Sequence, residues 1–311
     1  MKKWFCMGLL ALSCVWGSAS AEPTYVPKPQ QVAPSVYAMI GPLGQRSEAN
    51  AGLNANYGFI VGPTGVILID SGASAHSAAL LESAVKTVTQ KPIRWVLNTG
   101  AQDHRWLGND YFQKRGAEVH ALSGTVKTQK GVGDQQIAGL QRFLGRQLEG
   151  TVPAHAQAIH PAPQQRVEID GIEMLWIETN AHYPGDALIH LPQSSVTFTG
   201  DLVYVDRILG VLPSSSVRQG QKGFAKLTTL APRVIVPGHG RVTNLAQAKR
   251  ETGDYYDFLI RNVGEAARNM ESLSETLNRF AKPAQFVHLE NFSELHRANM
   301  NRVFTDFEAN P

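Results

Sequence analysis

Short apolar runs, separated by glycine, proline and small polar residues, fill much of the chain between residues 35 and 240, a pattern typical of β-strands. Ser35–Ile40, Tyr57–Val61 and Val66–Ile69 predict three strands, and Pro63-Thr64-Gly65 predicts a hairpin turn between the last two. Further strands are predicted over residues 94–97, 167–178, 186–199 and 234–236, with a turn at 192–194.

Apolar positions recur at helical spacing in two regions. His76–Val88 predicts an amphipathic helix, and the positions after Thr243 keep a helical period as far as Phe280. Pro283 ends that element, and a final helix is predicted to begin near Ser293. Residues 123–165 are weakly patterned and rich in Gln, Gly, Ala and Pro, which predicts a helix flanked by loops and a candidate lid.

The first 21 residues have the three parts of a secretory signal peptide: two lysines, the apolar run Trp4–Trp16 and a small-residue pattern that ends at Ala21. The apolar run is shorter than the roughly 20 residues of a membrane span, and no later segment reaches that length. Cleavage after Ala21 would leave a periplasmic or secreted protein that begins with a proline-rich extended arm over residues 22–35. Cys14 leaves a lipoprotein as an alternative.

Composition narrows the chemistry that the chain can support. Its 311 residues are 43% hydrophobic and 18% charged, which is ordinary for a globular protein. A net charge of +3 without a basic stripe argues against nucleic acid as a partner and leaves a small-molecule substrate. Both cysteines, Cys6 and Cys14, lie in the predicted leader, so a metal in the exported protein would depend on histidines and carboxylates. The oligomeric state has no signal in the sequence.

Several predicted strands end at polar residues whose side chains can bind metals. Because buried sheets place ligands beyond their strand ends, these residues are expected to converge. Imidazole and carboxylate groups bind zinc and iron. Each residue also has a simpler structural explanation, such as a turn cap or a loop histidine, but their repeated occurrence at strand ends favours one shared site. The residues are Asp70, Asn98, Asp103, His104, His182, Asp201 and His239.

In this order, the segments between Val36 and Asn244 resemble the metallo-β-lactamase superfamily. The resemblance implies an α/β fold: a four-layer αββα sandwich over residues 36–244, with a metal site at one edge and a C-terminal helical segment over 245–311 packed on the core. The ending Leu295-His-Arg-Ala-Asn299, with Glu308 further on, resembles the tail of a periplasmic branch found near sulfur-oxidation and quinoprotein dehydrogenase genes. The motifs that carry the resemblance are Asn56-Tyr-Gly-Phe-Ile-Val-Gly, Val66-Ile-Leu-Ile-Asp-Ser-Gly, Asn98-Thr-Gly-Ala-Gln-Asp-His-Arg-Trp-Leu-Gly-Asn, His182-Tyr-Pro-Gly-Asp, Phe198-Thr-Gly-Asp and Pro237-Gly-His-Gly.

The chain departs from the family signature His-x-His-x-Asp-His. Gly100 and Gln102 are taken to stand where the family has its first two histidines. In the family, one metal is held by those two histidines and by the residue that matches His182, so this chain keeps one ligand of three. Glycine has no side-chain ligand, and a neutral amide is a poor zinc ligand. His155 and His160 are candidate replacement ligands.

The second ligand set of the family is retained in this chain. The resemblance assigns the second metal to Asp103, His104 and His239, with Asp201 as the bridging carboxylate. One zinc ion is therefore expected rather than two, and iron or manganese would suit the same donors.

The predicted function is that of an exported metal-dependent hydrolase of an ester, thioester or lactam-type bond. Asp103 and His182 are the expected catalytic residues, with His182 as the candidate base, while Asp70 and Asn98 are expected to support the site structurally. The alternative is a non-catalytic binding protein of the same fold whose metal site has decayed and holds no metal. Redox chemistry on the same fold also stays open.

Overall fold

The computed structural model describes residues 25–310, so the predicted signal peptide lies outside the described residues. Two β-sheets form the centre of the structure. In spatial order, the first sheet contains β1 (Pro29–Ala33), β2 (Val36–Met39), β3 (Tyr57–Val61), β4 (Val66–Ile69), β5 (Ile93–Leu97), β6 (Glu118–Leu122) and β7 (Ala158–His160). The second contains β8 (Gln164–Ile169), β9 (Ile172–Glu178), β10 (Ala187–Leu191), β11 (Val196–Phe198) and β12 (Val234–Val236), with β12 and β8 at its two edges.

Helices cover the outer face of each sheet. Five lie before the last strand, β12: α1 (Ala75–Lys86), α2 (Asp103–Trp106), α3 (Asn109–Gln113), α4 (Ser123–Leu144) and α5 (Val217–Leu230). The C-terminal part contains α6 (Leu245–Ala248), α7 (Asp254–Phe258), α8 (Glu265–Arg268), α9 (Leu273–Arg279) and α10 (Phe292–Ala309), with π-helical turns at Lys249–Gly253 and Leu259–Gly264. No helix within residues 25–310 is both long and apolar enough to span a membrane.

The side chains of the central strands separate the apolar core into layers. In β4, Val66 and Leu68 pack with α1, whereas Ile67 and Ile69 pack with the second sheet, as the two-residue period of a strand requires. A third apolar layer joins the second sheet to α5 and the C-terminal helices. Three apolar layers between four layers of secondary structure confirm the predicted αββα sandwich.

The structure differs from two of the sequence predictions. A single strand was expected over 167–178, but Asp170 and Gly171, with φ of +51° and +74°, turn the chain and pair Ile169 with Ile172 in a hairpin. The Asp-Gly pair is a strong hairpin signal because both positions tolerate positive φ. Part of the predicted extended arm forms β1, which pairs antiparallel with β2 at the edge of the first sheet, where proline is tolerated.

The predicted site residues follow strands whose carboxyl ends share one edge. β4 is parallel to β5, and β11 is parallel to β12, so the loops that follow these four strands leave each pair on the same side. The connection from β9 to β10, residues 179–186, reaches the same region, as the hydrogen bond from Ala187 N to Thr99 O shows. This edge therefore collects residues from both sheets.

Candidate metal centre

His104, Asp201 and His239 come together at this edge, with one donor atom of each within 4.8 Å of the others. His104 Nε2 lies 3.2 Å from Asp201 Oδ2, and His239 Nε2 lies 3.3 Å from Asp201 Oδ1. All three residues are buried. The loop that carries His239 passes close to the Asp201 turn, because a Cβ on Gly238 would lie 2.5 Å from the Gly200 carbonyl oxygen; glycine is needed for this approach.

The protonation of His239 follows from its hydrogen bonds. Its Nδ1 lies 2.8 Å from the carbonyl oxygen of Asn54, to which it donates. Burial, and then the positive charge of Arg207, hold the pKa of His239 well below its usual value, so the ring is neutral. Its Nε2 therefore carries a lone pair that faces the carboxylate of Asp201, with no proton from either group between them.

Arg105 forms the centre of the site and was missed by the sequence analysis. Its guanidinium donates to Asp201 Oδ1 and Oδ2 at 2.6 and 3.1 Å and to Asp70 Oδ2 at 3.0 Å. It also donates to the carbonyl oxygens of Asn56 and Gly238 at 2.9 and 3.3 Å. One signal was present in the sequence: the two aspartates predicted at this edge need a buried counter-charge, and this arginine directly follows the predicted ligands.

Arg105 sets the charge state of Asp201. Burial would raise the pKa of the Asp201 carboxyl, but the Arg105 guanidinium and the His104 ring hold it well below its usual value. Asp70 has a supporting position, since its two oxygens accept from the backbone N and the hydroxyl of Thr99, both at 2.7 Å, as well as from Arg105.

The carboxylate of Asp103 lies behind His104 and outside the group of three. Its Oδ1 is 3.0 Å from His104 Nδ1 and 2.5 Å from Arg46 Nη2. Burial opposes its ionisation, but Arg46 and His104 hold the pKa of Asp103 well below its usual value. Because Asp103, His104 and Arg105 are consecutive in α2, their side chains point in different directions, and His104 and Arg105 are the two that contact Asp201.

His182 lies in the same cavity but is separated from the group by Tyr204. Its Nδ1 is 2.8 Å from the Gly210 carbonyl oxygen, and its Nε2 is 3.4 Å from the Tyr204 hydroxyl. That hydroxyl is in turn 3.3 Å from Asp201 Oδ1. Burial lowers the pKa of His182 to about 4, which keeps the ring neutral at physiological pH.

Gly100 and Gln102 offer no histidine ligand. Counted along His-x-His-x-Asp-His from these two positions, the fifth and sixth residues are His104 and Arg105. The assignment of Asp103 and His104 to the Asp-His pair of the signature was therefore inconsistent with the assignment of Gly100 and Gln102. A Cβ on Gly100 would lie 2.6 Å from Asp186 Oδ1, so this buried carboxyl fills the space beside the glycine. Burial, together with the charge of Asp201, raises the pKa of Asp186 well above its usual value, so it is neutral. Gln102 lines the cavity, and its Oε1 has no hydrogen-bond partner within the described residues.

The remaining predicted residues lie around the site. Asn98 donates from Nδ2 to the Arg105 carbonyl oxygen at 3.1 Å and accepts on Oδ1 from Asn109 at 2.8 Å, which fixes the loop after β5. The two candidate replacement ligands, His155 and His160, do not join the group of three. His155 stacks on Trp106, and His160 lies 3.0 Å from His120 on β6.

The group borders a cavity of about 100 Å³, whose lining includes two arginines, Arg46 and Arg207. Larger depressions lie elsewhere, including an apolar groove of about 680 Å³ along α10, but it contains none of the residues described above. The smaller cavity is the better candidate site because it joins convergent polar groups to perturbed pKa values. Its lining includes Arg46, Gln102, His104, His182, Arg207 and His239.

The sequence profile of the metallo-beta-lactamase superfamily matches residues 51–239, and the chain belongs to this superfamily. No curated protein matches the chain significantly. Among solved structures, the stereoselective inverting sec-alkylsulfatase Pisa1 from Pseudomonas sp. has a TM-score of 0.70 at 19% identity, covering 90% of this chain and 50% of its own.

Two β-lactamases show the same fold. A metallo-beta-lactamase from Pontibacter korlensis has a TM-score of 0.60 at 16% identity, covering 74% of this chain and 99% of its own. The DIM-1 metallo-beta-lactamase has a TM-score of 0.58 at 14% identity, covering 75% and 98%. The chain thus spans about half the length of the sulfatase and almost the whole of each lactamase. At these identities the likeness concerns the fold.

Proposed function

We propose that the protein is a metal-dependent hydrolase with one metal ion, held by His104, Asp201 and His239. One observation carries the proposal: the Nε2 lone pair of His239 faces Asp201 Oδ1 at 3.3 Å, and both atoms are acceptors. A cation between them would remove this conflict. The separations of 3.2 and 3.3 Å suit two donors that share one four-coordinate zinc ion at about 2.0–2.2 Å each.

Asp103 fits this proposal as the partner of a metal-ligating histidine. A metal on His104 Nε2 requires the ring proton to be on Nδ1, donated to Asp103 at 3.0 Å, although Arg46 Nη2, which is also a donor, lies 2.6 Å from the same nitrogen. A carboxylate bonded to the far nitrogen of a ligating histidine fixes its ring and raises its basicity. Direct ligation of the metal by Asp103 stays a prediction. Zinc binding to Asp103→Ala distinguishes a direct ligand from a hydrogen-bond partner of His104.

Arg105 supports one ion rather than two. Each carboxylate oxygen has two lone pairs, and Arg105 occupies one on each oxygen of Asp201. The second is left for a metal on Oδ2, and on Oδ1 when the Tyr204 hydroxyl, 3.3 Å away, turns toward His182. The guanidinium keeps its charge at any physiological pH and would repel a second divalent cation beside Asp201. With Gly100 and Gln102 nearby, the side of the cavity next to His182 also lacks a full ligand set.

A divalent ion at this site would act as a Lewis acid, polarising the bond to be hydrolysed and making water more acidic. The substrate class we propose is an ester, thioester or lactam-type compound. His182 is the proposed proton acceptor, because its Nδ1 donates to Gly210 and leaves Nε2 free toward the cavity. The Tyr204 hydroxyl lies between His182 and Asp201 and donates a hydrogen bond to Asp201 Oδ1 at 3.3 Å.

Metal analysis of the purified mature protein tests the proposal. We expect about one zinc, iron or manganese ion per chain after reconstitution. The double variant His104→Ala/His239→Ala should lose both the metal and the hydrolysis of a panel of ester, thioester and β-lactam substrates. His288→Ala, on an exposed residue, should keep both. A wild-type protein that binds no metal after reconstitution would overturn the proposal.

The second candidate function is a non-catalytic binding protein. The observation that favours it is the pairing of Arg105 with both Asp201 and Asp70, because the guanidinium already places a cation between the two carboxylates without a metal. A protein without metal or hydrolytic activity that still binds a small molecule in this cavity would support this alternative.

We also propose that the protein is exported to the periplasm or beyond, on the strength of the signal-peptide pattern over residues 1–21. Cell fractionation and N-terminal sequencing test this. The expected result is an exported form that begins at Glu22. A cytoplasmic form that keeps its first 21 residues would contradict it.

A further inference from the structure

Two histidines on neighbouring strands face each other at one end of the first sheet. His120 lies on β6 and His160 on β7, the last strand of that sheet, and His120 Nδ1 is 3.0 Å from His160 Nε2. In the parallel register of the two strands, His120 is paired with Ala158, so His160 lies two residues further on and on the same face of the sheet. Neither ring lines the cavity beside the candidate metal centre. The two histidines therefore form a separate pair of metal-ligating side chains.

A carboxylate fixes the proton of the first ring. Glu118 Oε2 lies 3.0 Å from His120 Nε2, and since a carboxylate only accepts, this nitrogen carries the proton. His120 Nδ1 is then left with a lone pair that faces His160. Burial lowers the pKa of both histidines, which keeps both rings neutral at pH 7. In the hydrogen-bonded pair, a single proton on His160 Nε2 therefore occupies the space between the rings.

The distance between the two nitrogens suits a metal ion in place of that proton. At metal–nitrogen distances of about 2.0–2.1 Å, a separation of 3.0 Å gives an angle of about 90–100° at the metal. Neighbouring ligands of a square-planar or tetragonal Cu(II) or Ni(II) ion meet at this angle, which is narrower than that of tetrahedral zinc.

One of the rings has to turn before both lone pairs point at an ion. The rings meet edge to edge, with 17° between their planes and 5.3 Å between their centroids, so each nitrogen is now directed at the other. His120 is only 6% exposed and is held by Glu118, whereas His160 is partly exposed. His160 is therefore the ring that can turn.

The surroundings of the pair favour such a site. A carboxylate bonded to the far nitrogen of a ligating histidine fixes its ring and raises its basicity, and Glu118 has this position on His120. The Glu118 side chain is 55% exposed, so water can reach the pair and fill the remaining positions of the ion. On the other side lies the buried ring of Trp176, with its centroid 5.6 Å from that of His160.

We propose that His120 and His160 bind one Cu(II) or Ni(II) ion, with Glu118 holding the His120 ring. The proton of His160 moves from Nε2 to Nδ1, so the ion takes the place of the shared proton without a net release of protons. The ion links β6 to β7 and stabilises this end of the first sheet. The site shares no residue with the proposed hydrolase site.

Copper titration of the mature protein, purified without a histidine tag, tests the proposal. The background is His104→Ala/His239→Ala, which removes the candidate metal centre and keeps the pair; the zinc-loaded wild type replaces it should the double variant not fold. Cu(II) chloride is added in a buffer that does not bind metals. We expect one saturable ion per chain by calorimetry, two equatorial nitrogens by electron paramagnetic resonance, and quenching of tryptophan fluorescence that Trp176→Phe reduces.

Three variants in the same background identify the ligands. His160→Ala should weaken copper binding by more than about 100-fold, and Glu118→Ala by about 10–100-fold, as for the loss of an outer carboxylate. His288→Ala, on an exposed residue, should bind copper as the background does. Copper should also raise the unfolding temperature of the background protein but not that of His160→Ala, because the two ligands come together only in the folded chain.

The inference is overturned if neither copper nor nickel binds saturably, if His160→Ala binds copper as tightly as the background, or if the spectrum shows a single equatorial nitrogen. Equal weakening in His160→Ala and His288→Ala would identify adventitious surface binding and would overturn it as well. Zinc content and hydrolysis of the wild type do not enter this test. The hydrolase proposal and the copper site can therefore fail independently.

Discussion

Replacing Arg105 with methionine tests whether this arginine holds the site together. The change keeps much of the side-chain volume but removes five hydrogen bonds, three of them to Asp201 and Asp70. Both carboxylates are at most 2% exposed and would be left without their cation. Removing one partner of a buried ion pair costs about 3–5 kcal/mol. This is a large fraction of the roughly 5–15 kcal/mol that stabilises an ordinary protein.

Urea unfolding of the purified protein, followed by circular dichroism, measures this cost. In thermal unfolding of a chain of this size, the same loss corresponds to a fall of about 6–10 °C in the unfolding temperature. Arg166→Met is the matched control, because its exposed pair with Glu173 should be worth at most about 1 kcal/mol. Adding Asp70→Asn to Arg105→Met should recover part of the loss by removing one stranded charge. If Arg105→Met costs no more than the control, Arg105 does not balance these carboxylates.

Two further predictions concern the neighbouring positions. Asp103→Ala should weaken zinc binding about 10–100-fold but keep one ion per chain at saturating zinc, because Asp103 is the hydrogen-bond partner of a ligating histidine. Equilibrium dialysis measures the affinity and the number of ions bound. Loss of the ion at saturating zinc would instead make Asp103 a ligand. Gly100→Ala should lower the free energy of unfolding in urea by about 1–3 kcal/mol, because the added Cβ would lie 2.6 Å from Asp186 Oδ1. Adding Asp186→Gly to the same chain should relieve this clash. An unchanged stability of Gly100→Ala would show that the Asp186 carboxyl moves aside freely.

The sheets were largely predictable because their strands are short buried runs with clear punctuation. The structure has β3 and β4 at Tyr57–Val61 and Val66–Ile69, as predicted from glycine-bounded apolar segments. The helix α5 was not predicted. Half of its fourteen residues, Val217–Leu230, are Arg, Gln, Lys or Thr, and two of its buried positions are Gly220 and Gly223, residues that disfavour a helix on propensity.

The sequence predicted where the site lies in the fold, but not which side chains contact each other within it. His104, Asp201 and His239 were expected together, since each follows a strand that ends at the same edge. The direction of each side chain in α2 was not available from spacing alone, because a rotation of one residue exchanges the roles of neighbours. Arg105 therefore escaped notice, and its meaning depends on Asp70 and Asp201, which are distant in sequence.

The position of Arg105 has a consequence for how the protein unfolds. It binds Asp70, which follows a strand of the first sheet, and Asp201, which follows a strand of the second, while Asn56 donates to the Pro237 and Gly240 carbonyl oxygens across the same seam. Separating the sheets would break the pairing of three buried charges at once. We therefore expect the halves to lose their structure in one cooperative transition, and neither half to survive alone as a folded fragment.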